Sequence, residues 1–136
     1  MSTARLEHVN ISVVNAERTA TFLEKLTGWQ RRWEGAAANG GYTIHLGNEE
    51  AYLAIHTNQS VRGTFSKGAP MNHIGIAVRD LDAAQAKVQA EGLKPFNHGE
   101  YEPGPRSFYF IDADGIEFEV VSYERDVVAD TFHYGN

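Results

Sequence analysis

The chain has 136 residues, 42% hydrophobic and 22% charged, and no cysteine, a globular composition that excludes disulfides, thiolate metal sites and cysteine nucleophiles. Its net charge of −6, from 12 basic and 18 acidic residues, disfavours nucleic acid, because binding to phosphates needs a concentrated basic surface. No apolar run approaches the ~20 residues of a membrane span and the N-terminus lacks the apolar core of a signal peptide, so we expect a cytoplasmic location.

Alternation of apolar and polar residues predicts an opening strand over residues 6–14. One face of this strand is apolar, and the other carries His8, Asn10 and Ser12. Asn15 is suited to cap a following helix, whose apolar residues recur at helical spacing until Gly28. Three further strands complete this half of the chain, at residues 29–33, 42–46 and 52–56.

The pattern of the first half restarts at Met71, after a polar segment that contains glycine. The segment from Met71 resembles the segment from Leu6, and the histidines in the two segments, His8 and His73, are 65 positions apart. Asp80 is suited to cap a second helix, and strands follow it as in the first half. We therefore predict a single domain over 1–136, built from a first βαβββ module at 1–57, a linker at 58–70, a second module at 71–123 and a C-terminal tail at 124–136.

The last part of the second module, residues 107–122, is predicted to be a hairpin whose turn is Asp112-Ala-Asp-Gly115. Glu119 points away from its apolar neighbours on the strand, and therefore toward solvent or toward a cavity. The offset of 65 that relates the histidines places Ala54 at the position that matches Glu119, and the apolar neighbours of the two residues match as well.

Paired βαβββ modules that each open with a strand histidine, the second closing with Asp-x-Asp-Gly-x-x-x-Glu, resemble the vicinal oxygen chelate superfamily, the glyoxalase, bleomycin resistance protein and extradiol dioxygenase family. The resemblance covers nearly the whole chain and implies an α+β fold in which two tandem βαβββ modules form a cupped mixed sheet. It also implies that His8, His73 and Glu119 bind one divalent metal ion, with Fe, Mn, Ni and Zn all left open.

One position departs from the family pattern. Glyoxalase I typically supplies a fourth protein ligand where this chain has Ala54, and alanine cannot bind a metal. Tyr52 and His56 lie two residues away on the same strand face and are candidates to replace that ligand or to bind substrate. Asn10 and Ser12 follow His8 on its own strand face and are further candidates to bind substrate.

Tyr109 lies across the final hairpin from Glu119, where dioxygenases and thiol transferases of the family place a tyrosine in the cavity. We predict catalytic roles for Tyr109 and Glu119, with the tyrosine hydroxyl donating a hydrogen bond to an oxyanion; a packing role for Tyr109 is expected equally. Glu117 shares the face of Glu119; lining the cup stays open for it, but a position at the rim or the surface is favoured. His98 is disfavoured as a general base because the family signature places a histidine closer to the final strands, and His45 is expected to pack within a strand.

The resemblance implies a glyoxalase- or dioxygenase-like enzyme whose metal binds a small substrate through adjacent oxygens and stabilises an oxyanion intermediate. Isomerase or lyase chemistry and ring-cleaving dioxygenation both stay open, as does the use of a thiol cosubstrate. One alternative is a metal-free small-molecule binding protein of the bleomycin-resistance type, which the retained His-His-Glu set disfavours. Another is a fosfomycin-type thiol transferase, for which the only basic residues near the final hairpin are Arg106 and Arg125. By analogy we expect a homodimer, and the three ligands come either from one chain or from two.

Overall fold

The computed structural model describes residues 3–37, 40–62, 67–68, 70–100 and 105–124, and the chain divides into two compact units, Met1–Gly63 and Thr64–Asn136. The first unit contains β1 (His8–Ser12), α1 (Ala16–Thr27), β2 (Gln30–Ala36), β3 (Tyr42–Gly47) and β4 (Tyr52–Thr57). The second unit contains β5 (Ile74–Ala77), α2 (Leu81–Ala90), β6 (Phe96–Glu100), β7 (Arg106–Ile111) and β8 (Glu117–Ser122). Each unit therefore has the order βαβββ, which confirms the predicted α+β fold. Arg125 and all but the first residue of the predicted tail at 124–136 lie outside the described residues.

The first unit is a mixed four-stranded sheet with the strand order β1-β4-β3-β2, in which β1 runs parallel to β4 and the other pairs are antiparallel. α1 packs against β3 and β4, over buried apolar side chains of those strands. The side chain of Asn15 caps α1 by accepting a hydrogen bond from the Arg18 amide at 3.0 Å, and the helix ends at Gly28, whose φ is +78°. Both predicted ends of this helix are confirmed, because capping depends on local geometry that the sequence carries.

A β-bulge in β2 changes which side chains share a face of the first sheet. Arg31 pairs with Leu46 and Trp33 pairs with His45, so that Arg32 is an additional residue in the strand. Because of this extra residue, Trp33 lies on the face of the sheet opposite α1, whereas Arg31 lies on the α1 side. The strand also continues to Ala36, beyond the predicted end at residue 33.

Arg31 connects β2 to α1 through carboxylates. Its guanidinium donates hydrogen bonds to Glu17 at 2.7 Å, to Glu24 at 3.0 Å and to Glu34 at 3.0 Å. The hydrogen bond from Arg31 lowers the pKa of the Glu17 carboxyl below its ordinary value of 4.5. The pKa of the Glu34 carboxyl is lowered first by the hydroxyl of Tyr42 and then by Arg31. The ionised carboxylates therefore stabilise the folded state, and protonation removes that contribution.

We expect Arg31→Gln to destabilise the protein at pH 7 and to matter less as the pH falls. Carboxyl groups with a lowered pKa contribute stability above their ordinary pKa of 4.5, and this contribution is lost as the pH falls through their folded pKa. Urea unfolding of the wild type and the variant at pH 7, 5 and 4 measures the difference. Arg62→Gln is the matched control, because the contacts of Arg62 with described residues are hydrogen bonds to backbone carbonyls of its neighbours. A difference in unfolding free energy that is independent of pH would contradict this prediction.

The second unit repeats the arrangement, with the strand order β5-β8-β7-β6 and β5 parallel to β8. α2 packs against β7 and β8, and the side chain of Asp80 caps it by accepting from the Ala83 amide at 3.0 Å. The predicted turn between β7 and β8 is present: Asp112 accepts from two later backbone amides, and Gly115 has a φ of +86°. Within the described residues, neither helix has the length and apolar character needed to span a membrane.

Candidate metal and substrate site

The structure brings together two of the predicted metal ligands, His73 and Glu119, in the second unit. His73 immediately precedes β5 rather than lying within it, and Glu119 lies on the adjacent β8. The Nε2 atom of His73 is 3.2 Å from Oε1 of Glu119, and the two side chains are 32% and 26% exposed. Gly75, which pairs with Glu119 across the strands, has open space where a side chain would be. The pair is therefore accessible from solvent on a face that we call the Glu119 face.

The ring of His73 is oriented by its neighbour in the chain. Its Nδ1 atom is 2.7 Å from Oδ1 of Asn72, so Nδ1 donates that hydrogen bond. In the neutral ring Nε2 then has a lone pair toward Glu119, and in the imidazolium Nε2 donates to the carboxylate. Two acceptor atoms at 3.2 Å need a proton or a cation between them. A histidine whose second nitrogen is held in this way is the usual arrangement of a metal-binding imidazole.

The separation of the pair also suits two ligands of one divalent ion. Nitrogen and oxygen ligands lie about 2.0–2.2 Å from zinc, which places two neighbouring ligand atoms about 3.3–3.6 Å apart at tetrahedral angles and about 3 Å apart at angles close to 90°. Among the residues that the structure describes, no group of three or more His, Cys, Asp or Glu side chains is arranged to hold a metal ion. The second unit thus contributes a two-residue pair, and ligation by His8 of the first unit stays a prediction.

Tyr109 lies on the Glu119 face, directly across the hairpin from Glu119. Its ring meets the ring of His73 edge-on, with centroids 5.5 Å apart and planes at 79°. The adjacent residues Phe108 and Phe110 are completely buried on the other face of β7, whereas Tyr109 is half-buried. Tyr109 therefore belongs to the surroundings of the His73–Glu119 pair and not to the core under α2.

The expectation that Glu117 lies at the rim or the surface is wrong. Glu117 is only 6% exposed, and its carboxylate forms an ion pair with Nζ of Lys67 at 3.0 Å. A buried carboxylate needs such a partner because burial removes it from water. Lys67 precedes β5 by several residues and is 50 positions from Glu117, so local patterning of the strand gives no signal of this contact.

His98 lies on the opposite face of the second sheet from Tyr109. Asn97 has a φ of +55° within an irregularity of β6, and His98 follows it. The Nε2 atom of His98 is 2.5 Å from Oε1 of Gln85 on α2, and its ring lies 6.0 Å from the ring of Phe108. His98 borders a cavity of about 270 Å³ on the α2 side. Its ring is therefore directed away from the His73–Glu119 pair.

All the residues predicted for the site in the first unit share one face of the first sheet, opposite α1. β1 and β4 run parallel in a register that pairs His8 with Tyr52, Asn10 with Ala54 and Ser12 with His56. We call this surface the His8 face. The imidazole of His8 stacks on the ring of Tyr52 with centroids 5.0 Å apart, and its Nδ1 atom is 2.8 Å from the carboxylate of Glu7.

His56, a neighbour of Ala54 on the His8 face, is not placed as an uncommitted replacement ligand. Both ring nitrogens of His56 have hydrogen-bond partners, with Nδ1 3.1 Å from the hydroxyl of Thr43 and Nε2 2.9 Å from the amide of Asn58. The ring of Tyr52 stacks with two imidazoles and has the guanidinium of Arg32 4.4 Å from its centroid. Ligation by His56 would break two hydrogen bonds, which favours a substrate-binding or structural role for it.

Three residues of the His8 face were missed as site candidates. His45 was expected to pack within its strand; it does stack on Tyr52, with centroids 4.5 Å apart, but on the His8 face. Burial lowers the pKa of His45 below its ordinary 6.5, and nearby His8 and Arg32 act in the same direction. Alternation along β3 carries enough information to place His45. Arg32 is the extra residue of the bulge in β2 and Trp33 follows it, and no sequence pattern indicates this bulge.

The family model of the Glyoxalase/Bleomycin resistance protein/Dioxygenase superfamily matches residues 5–120. No curated protein gives a significant match to the sequence. A glyoxylase/bleomycin resistance protein/dioxygenase domain from Frankia sp. EAN1pec is similar in structure, with a TM-score of 0.76 and 17% identity over 90% of this chain and 100% of that one. The fosfomycin resistance protein FosX from Listeria monocytogenes, complexed with Mn(II) and sulfate, has a TM-score of 0.66 and 16% identity over 96% and 99%. A glyoxalase I mutant from Zea mays has a TM-score of 0.70 and 23% identity, over 86% of this chain and 45% of that one.

At such identities the solved structures show a shared fold. The family match is evidence from the sequence itself. It extends from the residues before β1 to β8 and includes His8, His73 and Glu119. The chain belongs to the Glyoxalase/Bleomycin resistance protein/Dioxygenase superfamily.

Proposed function

We propose that the protein is a metal-dependent enzyme in which His8, His73 and Glu119 bind one divalent ion, and in which a small substrate binds that ion through adjacent oxygens. The observation that carries the proposal is the His73–Glu119 pair, with a 3.2 Å separation and a ring oriented by Asn72. Similarity to FosX, which was crystallised with Mn(II), supports a divalent metal. A divalent ion at such a site acts as a Lewis acid that polarises the oxygens of its ligand.

The residues around the pair have roles that their positions support. The hydroxyl of Tyr109, beside the ring of His73, donates a hydrogen bond to an oxyanion of the substrate. Asn10 and Ser12 are exposed on the His8 face and hydrogen-bond the polar groups of the substrate. Glu119 accepts a proton from the substrate carbon or oxygen nearest to it, in addition to its role as a ligand.

Two reaction classes fit this arrangement, isomerase or lyase chemistry and ring-cleaving dioxygenation, and the metal distinguishes them. A fosfomycin-type transfer has less support, because Arg106 forms an ion pair with Asp82 of α2 at 3.1 Å, on the side of the sheet away from Glu119. We also propose a homodimer, as the family resemblance implies, with His8 supplied either by the same chain or by the partner.

Elemental mass spectrometry of native protein, purified without chelator or affinity tag, tests the proposal. We expect about one divalent metal per chain. Oxygen-labile Fe would favour dioxygenation, since open three-ligand sites of this type suit Fe(II) oxygen chemistry. Zn, Ni or Mn would favour isomerase or lyase chemistry. Protein that contains no metal, and that takes up none in titrations with these four ions, would overturn the proposal in favour of a metal-free binding protein.

A further inference from the structure

Trp33 is a large exposed aromatic side chain that the fold holds in place on the His8 face. Half of its surface is exposed, and the bulge at Arg32 directs it to that face. A single exposed apolar side chain is common on protein surfaces. Trp33 differs because its indole lies over Gly35: a Cβ built on that glycine would be only 2.8 Å from the indole Cζ2 atom. The strand thus contains a glycine where any side chain would displace the indole.

The indole is the exposed end of a row of four rings across the first sheet. Trp33 meets His45 at a centroid distance of 5.1 Å, His45 stacks on Tyr52 at 4.5 Å, and Tyr52 stacks on His8 at 5.0 Å. The row crosses all four strands, from β2 at one edge to β1 at the other. Strands are about 4.8 Å apart, so its ends are separated by roughly 14 Å.

We propose that Trp33 is a stacking platform for a flat conjugated ring of the substrate, about 14 Å from the oxygens that bind near His8. The inference rests on the proposed function and specifies its substrate class: an elongated molecule with adjacent oxygens at one end and a planar ring toward the other. Offset stacking on an indole face favours a flat ring over a saturated ring of equal size. This preference for a flat ring depends on residues of the first unit alone and does not require the metal.

The test uses metal-free protein and two neutral probes, 2-naphthol and trans-2-decalol, which have similar size but differ in planarity. Indole N–H resonances in nitrogen–proton correlation spectra report binding, and Trp29→Phe assigns them because the chain has two tryptophans. We expect 2-naphthol to shift the Trp33 resonance saturably and to bind about 3- to 10-fold more tightly than trans-2-decalol. Trp33→Ala should abolish the preference, Trp33→Phe should keep part of it, and Trp29→Phe should leave it unchanged.

Gly35→Ala is the most informative variant, because the indole is still present but is displaced by the added Cβ. We expect it to reduce the preference for 2-naphthol as well. A preference that persists in Trp33→Ala, or equal affinity of the wild type for both probes, would overturn the inference. The inference would also be overturned if the Trp33 resonance shifted when the protein is diluted but not when 2-naphthol is added. That result would show that the indole contacts a second copy of the chain. Metal titration of Trp33→Ala should match the wild type, which separates failure of this inference from failure of the metal site.

Discussion

Replacing Glu119 by alanine should weaken the binding of Mn(II) or Zn(II) by at least about 100-fold and leave the fold intact. Loss of a residue that only orients a metal ligand typically costs 10- to 100-fold in affinity, so loss of a ligand itself should cost about the upper value or more. The fold should survive because the carboxylate is on the face away from α2, where the open space beside Gly75 leaves it accessible. Calorimetric titration gives the affinity, and thermal unfolding followed by circular dichroism gives the stability.

Glu100→Gln is the matched control, because it removes an exposed carboxylate from β6 of the same sheet and should leave metal affinity unchanged. Unfolding of Glu119→Ala would assign Glu119 a structural role. Unchanged metal affinity would remove it from the ligand set. If the affinity falls as expected, Glu119→Gln shows whether a neutral amide oxygen suffices as the ligand.

His8→Ala should produce a comparable loss of affinity if His8 completes the site. Mixing His8→Ala and Glu119→Ala chains by unfolding and refolding then locates the ligands. In a twofold-symmetric dimer whose sites are shared, half of the dimers are mixed and each has one intact site, so about a quarter of the wild-type capacity should return. No recovery would show that one chain supplies all three ligands.

The elements and the faces of this fold were predictable where they depend on local chemistry. Asn15 and Asp80 cap their helices as expected, since a side chain that bonds to an amide three residues later needs no distant partner. Alternation placed His8 and Glu119 opposite the apolar faces of their strands, because successive side chains in a strand point in opposite directions. The pairing of Glu119 with His73 then follows from two adjacent parallel strands.

The features that were missed depend on distant partners. Alternation alone puts Arg32 and Trp33 on opposite faces, and only the pairing of β2 with β3 reveals the bulge. His98 is redirected toward α2 by the irregular backbone at Asn97. The buried Glu117 pairs with Lys67, a residue outside every strand and helix. Arg32, Trp33 and Glu117 lie in strands, as predicted, and His98 lies within β6 rather than in a loop, but the surroundings of all four were set by another segment.

Phe118→Ala should have the opposite consequence from Glu119→Ala, although the two residues are adjacent on β8. Phe118 is 1% exposed and stacks on its cross-strand partner Phe110, with centroids 5.0 Å apart and planes at 10°. Truncating a buried phenylalanine costs about 3–5 kcal/mol, a large part of the roughly 5–15 kcal/mol that stabilises a typical domain. Urea unfolding should show this loss, whereas Phe118→Leu, which keeps most of the apolar volume, should cost less than Phe118→Ala.

The two variants together test the strand alternation on which the candidate site depends. If Phe118 packs under α2 and Glu119 faces away from it, the first variant loses stability and the second loses metal affinity. In that case metal affinity of the Phe118→Ala protein should be retained at low temperature and low urea, where the chain is still folded, because the ligand face is unchanged. A stable Phe118→Ala protein that has lost its metal affinity would contradict the register of β8 against β5 and β7. The position of Glu119 beside His73 follows from that register, so the same result would also remove the metal site from the second unit.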